Sequence, residues 1–257
     1  MRTIKNIKEE LDTIVEWQEW MEELKDDPRQ GAKKALQQWY RRKEKENELA
    51  KEHQKKIAFD QSFRPYKQAL IAGIDEAGRG PLAGPVVTAA VILPDECDSL
   101  IGLNDSKQLS KQAREKFAEK IQECALATAI HFQPADIIDE LNIYEATKQS
   151  MKSSVEMLQL KPDFVLADAM TLPIDIEQAS IIKGDAKSLA IAAASMLAKT
   201  ARDHYMEEMA DKYPFYGFEK HAGYGTKQHL DALEQHGPTP IHRKTFEPIK
   251  SILLTKG

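Results

Sequence analysis

Gly73-Ile74-Asp75-Glu76-Ala77-Gly78-Arg79-Gly80-Pro81-Leu82-Ala83-Gly84-Pro85 joins an apolar run beginning at Ala69 to a second one, Val86-Val87-Thr88-Ala89-Ala90-Val91-Ile92-Leu93. Apolar runs of this length, rich in β-branched residues and bounded by Gly and Pro, predict two strands. The first runs directly into two adjacent acids. Neighbouring side chains on a strand face opposite ways, so for both acids to serve one site the backbone must bend or end there. The glycines that follow allow such a turn and let a ligand's backbone approach closely.

Other motif readings of this stretch fail on context. Gly78, Gly80 and Ala83 satisfy the spacing of a dinucleotide fingerprint, with Asp95 downstream where a ribose ligand would sit. That fingerprint must open a helix, whereas Pro85 and the run after it predict a strand. No G-x-x-x-x-G-K-[ST] phosphate loop occurs, and no G-x-S-x-G elbow supports a serine nucleophile.

Two further acids occupy similar settings. Asp168 ends the apolar run Phe164-Val165-Leu166-Ala167, and Asp185 follows Ile181-Ile182-Lys183-Gly184 and precedes a long alanine-rich stretch. Functional groups of open α/β sheets gather at strand ends, so Asp75, Glu76, Asp168 and Asp185 are expected to converge. Taken singly, Asp185 also suits a helix N-cap and Asp168 a turn. Four hard oxygen ligands without a His or Cys partner select Mg²⁺ or Mn²⁺ over zinc. Two such ions explain the number, in a phosphodiester hydrolysis that needs no covalent nucleophile.

Outward from these acids, the texture after Ala69 alternates short apolar runs with amphipathic stretches, predicting a mixed α/β domain. Strands are expected near 69–75, 85–93, 125–132, 163–168 and 179–183, and helices near 111–124, 142–159, 186–212 and 226–236, the first capped by Ser110. The first 60 or so residues differ and hold all three tryptophans. Ile14, Trp17, Met21 and Leu24, then Ala32, Leu36 and Trp39 beyond the Asp26-Asp27-Pro28 break, predict a helical hairpin. Residues 1–28 carry four Lys/Arg against nine Asp/Glu, and 29–56 carry ten against four. The second arm, at +6, is either a solvated face or an arm that tracks a phosphate backbone. Domains are therefore expected at 1–62 and 63–257.

The whole chain has a net charge of −5, which argues mildly against a partner held by bulk electrostatics, although a carboxylate cluster awaiting cations accounts for part of it. No apolar run approaches the roughly 18 residues of a membrane span, and the first turns mix in acids where a secretory leader would be apolar. A cytoplasmic protein is expected. Cys97 and Cys124 lack zinc-site spacing and are read as small hydrophobic residues.

Asp75-Glu76-Ala77-Gly78-Arg79-Gly80 resembles the signature of bacterial and archaeal ribonuclease HII. Asn104 to Ser110, Lys183 to Ser188, Ala192 to Ser195, Gly223-Tyr224-Gly225-Thr226, and His242-Arg243 with Phe246-Glu247-Pro248 are similar to further blocks of that family, in order, from about Ala69 to Ile249. The resemblance implies an RNase H-like sheet, here the mixed five-stranded sheet flanked by helices; the N-terminal helical hairpin that precedes it is a departure from the family's pattern. It implies a four-carboxylate metal site at Asp75, Glu76, Asp168 and Asp185, and assigns Gly78, Arg79, Gly80 and Tyr224 to sensing ribose at an RNA-to-DNA junction. The implied activity is hydrolysis of the RNA strand of RNA/DNA hybrids and incision 5′ to single ribonucleotides in duplex DNA. A monomer is expected.

Lys107, Lys187, Lys199 and Arg202 lie near the acids in sequence and are candidate phosphate partners, with Ser106 and Ser188 as hydroxyl donors. The free N–H groups of the helix after Asp185 favour Lys187 and Ser188. The sister family, ribonuclease HIII, departs from Ala77-Gly78-Arg79-Gly80 and carries a different N-terminal domain. It is the second enzyme reading, and a hybrid-binding module without catalysis is the third. The resemblance stops soon after Pro248, without the C-terminal helical extension of some members.

Overall fold

The computed structural model describes residues 2–104 and 109–256. It divides into two compact units, Met1–Glu52 and His53–Gly257. The division falls inside one long helix, about ten residues before the border suggested by composition.

In the first unit, α1 (Ile4–Thr13) ends where Ile14 turns extended, and a 3-10 segment, Glu19–Leu24, precedes α2 (Gln30–Gln61). The expected first arm of the hairpin is thus two short helical pieces. The reason lies in partners across the break. Trp39 Nε1 donates to the Ile14 carbonyl at 3.0 Å, and the Arg42 guanidinium donates to the carbonyls of Leu11, Asp12 and Ile14. A cation on the last carbonyls complements a helix C-terminus. Ile7, Leu11, Met21, Leu24, Leu36 and Trp39 form the small core.

Among its described residues the second unit carries five strands: β1 (Ile71–Ala77), β2 (Val86–Ile92), β3 (Ala127–Gln133), β4 (Phe164–Asp168) and β5 (Glu177–Ile181). Their order is β3-β2-β1-β4-β5, with β1–β2 and β2–β3 antiparallel and β1–β4 and β4–β5 parallel. The expected mixed five-stranded sheet flanked by helices is present. Its helices are α3 (Lys111–Cys124), α4 (Ala135–Leu141), α5 (Ile143–Glu156), α6 (Gly184–Lys187), α7 (Leu189–Lys212), α8 (Phe218–His221), α9 (Lys227–His236) and α10 (Ile249–Lys256). Ser110 caps α3 as expected, accepting from the Ala113 amide. The helix expected at 186–212 is split at Ser188, whose extended backbone ends α6 and caps α7.

The alternation of side chains along each strand sorts the core into two layers. Ala89 and Val91 of β2 pack with α7 and α3, while Ala90 and Ile92 pack with Met151 and Val155 of α5 on the opposite face. On β1, Ile71 contacts Ile191 of α7, whereas Ala72 and Ile74 join the α5 layer. Between them, a Cβ on Gly73 would lie 2.1 Å from the Ala190 carbonyl carbon and 2.3 Å from the Ile191 nitrogen. Helix backbone therefore rests directly on strand backbone there, which only glycine allows. Ala192, Ala193 and Ala194 keep α7 close along the sheet. No helix among the described residues is long and apolar enough to cross a membrane.

Candidate active site

Asp75 has the strand parity of Gly73, so its side chain faces α7, where the Ser195 hydroxyl hydrogen-bonds its carboxylate. β1 does not end at the acids as its sequence suggested: pairing with β2 continues through Asp75↔Ala89 and Glu76↔Thr88 to Ala77↔Val87. Pairing with β4 instead stops at Ile74↔Ala167. The acids thus sit where β1 outruns its parallel neighbour, and Asp168 closes β4 one position beyond. An open flank, rather than a bend, gives both acids of β1 access to one space.

Asp75, Glu76, Asp168 and Asp185 line a single cleft of about 570 Å³, together with Gly78, Arg79, Gly80, Tyr224, Arg114 and Lys199. Burial, then the negative charges of Glu76 and Asp168, push Asp75 well above the usual carboxylate range, against the pull of Ser195. Burial likewise raises Glu76, opposed by Arg79, whose guanidinium lies 3.3 Å from Glu76 Oε1. Glu76 Oε2 is buried without a hydrogen-bond partner. Such a cluster is unfavourable alone, and a divalent cation reverses the sign of its electrostatics. As they stand, however, no three His, Cys, Asp or Glu side chains among the described residues are grouped closely enough to hold an ion. Two of the acids are turned onto backbone: Asp168 Oδ1 accepts from Gly184 N at 2.7 Å, and Asp185 Oδ1 from Ala186 N at 2.9 Å. The all-carboxylate donor set and the orphaned oxygen suit a hard divalent cation such as Mg²⁺ or Mn²⁺.

Two buried arginines shape the glycine-rich turn. Arg243, fully buried, donates to the carbonyls of Gly78 at 2.5 Å, Arg79 at 2.8 Å and Gly84 at 2.9 Å. Arg202 donates to Pro85, Ala83 and Ala222 carbonyls, each at 3.0 Å. Gly78 has a φ of +94°, and a Cβ there would lie 2.0 Å from Arg202 Nε. Burial, and then repulsion by Arg202, lowers the Arg243 guanidinium to about 9, and burial lowers Arg202 to about 10, so both stay charged at neutral pH. Gly80 lies beside the Tyr224 ring, 3.7 Å from Cε1 to a Cβ built on the glycine. Tyr224 is half exposed, with its backbone held from below by a histidine relay.

The relay's tautomers follow from its ends. Thr239 N–H donates to His242 Nδ1, so His242 Nε2 carries the proton and donates to His229 Nε2, leaving His229 Nδ1–H to donate to the Tyr224 carbonyl at 3.0 Å. Both rings are neutral in this chain. Burial, then His229, depress His242 to about 3, and burial depresses His229. A histidine lowered on folding contributes stability that is complete above the unfolded value near 6.5 and is lost as pH falls from there toward the folded value. By pH 5 the His242 contribution should be reduced by about 2 kcal/mol. Melting temperatures measured from pH 7.5 to 5 should fall, and His242→Gln should flatten that slope. An equal slope in both proteins would show that other groups carry the acid sensitivity.

Several residues singled out in the sequence lie elsewhere. Ser188 is fully buried, its hydroxyl accepting from Ile191 N at 3.0 Å, and Asp60 Oδ2 takes the Ala190 N–H at 2.9 Å. The start of α7 is thereby closed to a phosphate. Lys187 is exposed but does not line the cleft. Arg202 lines it while committing its guanidinium to main-chain oxygens, and Lys199 is paired with Asp203 at 2.5 Å. Ser106 and Lys107 lie outside the described residues. Nothing local in the sequence marks the buried Ser195 and Arg243, or the partly buried Arg114, as parts of the site.

Comparison with known proteins decides the family. The Ribonuclease HII model matches residues 72–249, and the model of the Ribonuclease HII N-terminal domain matches residues 3–64, so the N-terminal helices, expected as a departure, are part of the family's pattern. The chain is 50% identical to the Ribonuclease HII of Bacillus licheniformis over 97% of its own length and 98% of that protein's. This chain belongs to the ribonuclease HII family. As a ribonuclease HII it is an enzyme of the ribonuclease H kind. The Ribonuclease HII of Enterococcus faecalis is 51% identical over 98% of both chains. Among solved structures, ribonuclease H2 from Pyrococcus horikoshii superposes with a TM-score of 0.64 at 28% identity, covering 72% of this ribonuclease HII and 98% of that chain. Bst-RNase HIII in complex with Mn²⁺ shares the fold, with a TM-score of 0.56 at 17% identity over 74% of this chain and 71% of that one.

Proposed function

We propose that this ribonuclease HII hydrolyses the RNA strand of RNA/DNA hybrids and incises on the 5′ side of single ribonucleotides in duplex DNA, leaving 3′-hydroxyl and 5′-phosphate ends. The observation that carries the proposal is the shared cleft: four carboxylates at one end of the sheet, and the Gly78–Gly80 turn beside Tyr224 within the same space. Asp75, Glu76, Asp168 and Asp185 would hold two Mg²⁺ or Mn²⁺ ions. Bound there, the ions supply Lewis-acid stabilisation of the scissile phosphate and activation of the attacking water.

The chain's own residues do the positioning. Ser195 orients Asp75, and the Gly184 amide orients Asp168. Only the 2′-hydroxyl distinguishes RNA from DNA at a given position. The turn from Gly78 to Gly80 offers main-chain groups to that hydroxyl, because Arg243 fixes the carbonyls of Gly78 and Arg79 from behind. The exposed Tyr224 ring, adjacent to Gly80, stacks beneath the next sugar and admits a deoxyribose, which marks the junction.

The direct test is a duplex with one embedded ribonucleotide, incubated with Mn²⁺, Mg²⁺ or EDTA, with both new ends mapped. A cut 5′ to the ribonucleotide that needs the metal is expected, and cleavage only within runs of ribonucleotides would refute junction recognition. Within this scheme Tyr224→Ala should lose most single-ribonucleotide cleavage, whereas Tyr224→Phe retains more, since the ring rather than its hydroxyl does the stacking. Being half exposed, either change should move the melting temperature by only about a few degrees. Wild-type rates for Tyr224→Ala on both single-ribonucleotide and all-RNA substrates would remove Tyr224 from the reading.

A further inference from the structure

We infer that Lys56, near the end of α2, is a positioning residue that fixes the turn carrying Asp185 and so sets how tightly the site binds its ions. This rests on the reading of Asp185 as a metal ligand. Asp75, Glu76 and Asp168 are carried by strands within a hydrogen-bonded sheet. Asp185 instead stands on α6, a helix of four residues. One turn of helix has almost no stability of its own, because nucleation fixes several dihedrals for a single hydrogen bond. Something outside it must hold it.

Lys56 does so from behind. The residue is 8% exposed, and Nζ donates to the main-chain oxygen of Asp185 at 3.1 Å and to that of Leu103 at 3.2 Å. Burying an ammonium is unfavourable unless its donors are used and its charge is compensated. Compensation comes four residues on, from the same face of α2. Asp60 accepts from the Ala190 amide at the start of α7, and the Lys56 charge favours its ionised form. Burial still raises the Asp60 carboxyl to about 6. One turn of α2 therefore grips both sides of the Ser188 break: Lys56 holds α6 before it, and Asp60 holds α7 after it. Neither residue lines the cleft, so their effect passes through backbone.

The test measures ion binding without substrate. Mn²⁺ is titrated calorimetrically into the full-length wild type, Lys56→Met and Asp185→Asn, and the Mn²⁺ dependence of cleavage, KM for a hybrid duplex and melting temperature are recorded alongside. Lys56→Met keeps the stem and removes the donors. It should weaken Mn²⁺ binding about tenfold or more, as loss of an outer-shell partner does, and leave KM for the duplex within about twofold. A role confined to stability would lower the melting temperature without moving the Mn²⁺ affinity of the folded protein. If Lys56→Met does not fold, Lys56→Gln, shorter by one bond and still polar, should show the same shift. Wild-type affinity in either folded variant, with Asp185→Asn weakened, overturns the role of Lys56 alone. Wild-type affinity in Asp185→Asn overturns the assignment of Asp185 as a ligand, and the role of Lys56 with it.

Discussion

Asp168→Asn should abolish cleavage while leaving hybrid binding within about threefold of wild type. The substitution preserves shape and the hydrogen bond that Gly184 N donates to Asp168 Oδ1, so the turn after β5 should keep its place. What it removes is one unit of negative charge from a cluster whose members already repel one another. Losing a hard anionic ligand removes the charge stabilisation that the site provides through its ions, and a fall in kcat of about 10³-fold or more is expected. The same change relieves repulsion on Asp75, so the melting temperature measured without metal should hold or rise. Activity within tenfold of wild type would dismiss Asp168 from the metal set. Lost binding together with a lower melting temperature would make it a structural residue instead.

Arg243→Met should destabilise the enzyme by about 3–5 kcal/mol, since it leaves main-chain oxygens of Gly78, Arg79 and Gly84 without the guanidinium that satisfied them. For a chain of this length the melting temperature should drop on the order of 10 °C. The effect on chemistry should exceed the effect on stability. Below the melting transition, single-ribonucleotide cleavage should fall more than metal binding does, because the turn proposed to meet the 2′-hydroxyl loses its anchor while the carboxylates keep theirs. Arg243→Lys would preserve the charge but not the planar fork that reaches three oxygens at once, so it should rescue only a small part. A variant with wild-type melting and wild-type cleavage would mean that water replaces the guanidinium without consequence.

The four acids were legible because their signal is local. An apolar run ending in Asp is visible within a few residues, and the positions of β1, β4 and the turn before α6 follow from it. Lys56, Asp60, Ser195 and Arg243 were not legible as structural parts. Arg243 meets Gly78 across 165 residues of chain, and Lys56 meets Asp185 across 129. No periodicity encodes such pairings, and a long basic side chain reads as surface unless its buried partners are known. The same blindness produced the phosphate role expected of Ser188: its sequence marks a helix start, but not that Asp60 and its own hydroxyl use the amides there. In the N-terminal unit, apolar spacing from Ile14 to Leu24 fits a helix, yet the chain is extended at Ile14, where Trp39 and Arg42 take its carbonyl.

The bare contact at Gly73 has a mechanical consequence. Where side chains separate a helix from a sheet, rotamer changes absorb small shifts, and the two layers slide with little effect on either. At Gly73 no such cushion exists, because the α7 backbone rests on the strand itself. Asp75 lies two residues along that strand, and Ser195, its hydrogen-bond donor, lies about one turn along that helix. The acid and its donor are thus bolted at a common pivot, and a tilt of α7 is transmitted to their separation undamped. Rigidity at this joint keeps Asp75 in register, and under the proposed function it leaves adjustment for ions and substrate to the side chains of the three other acids.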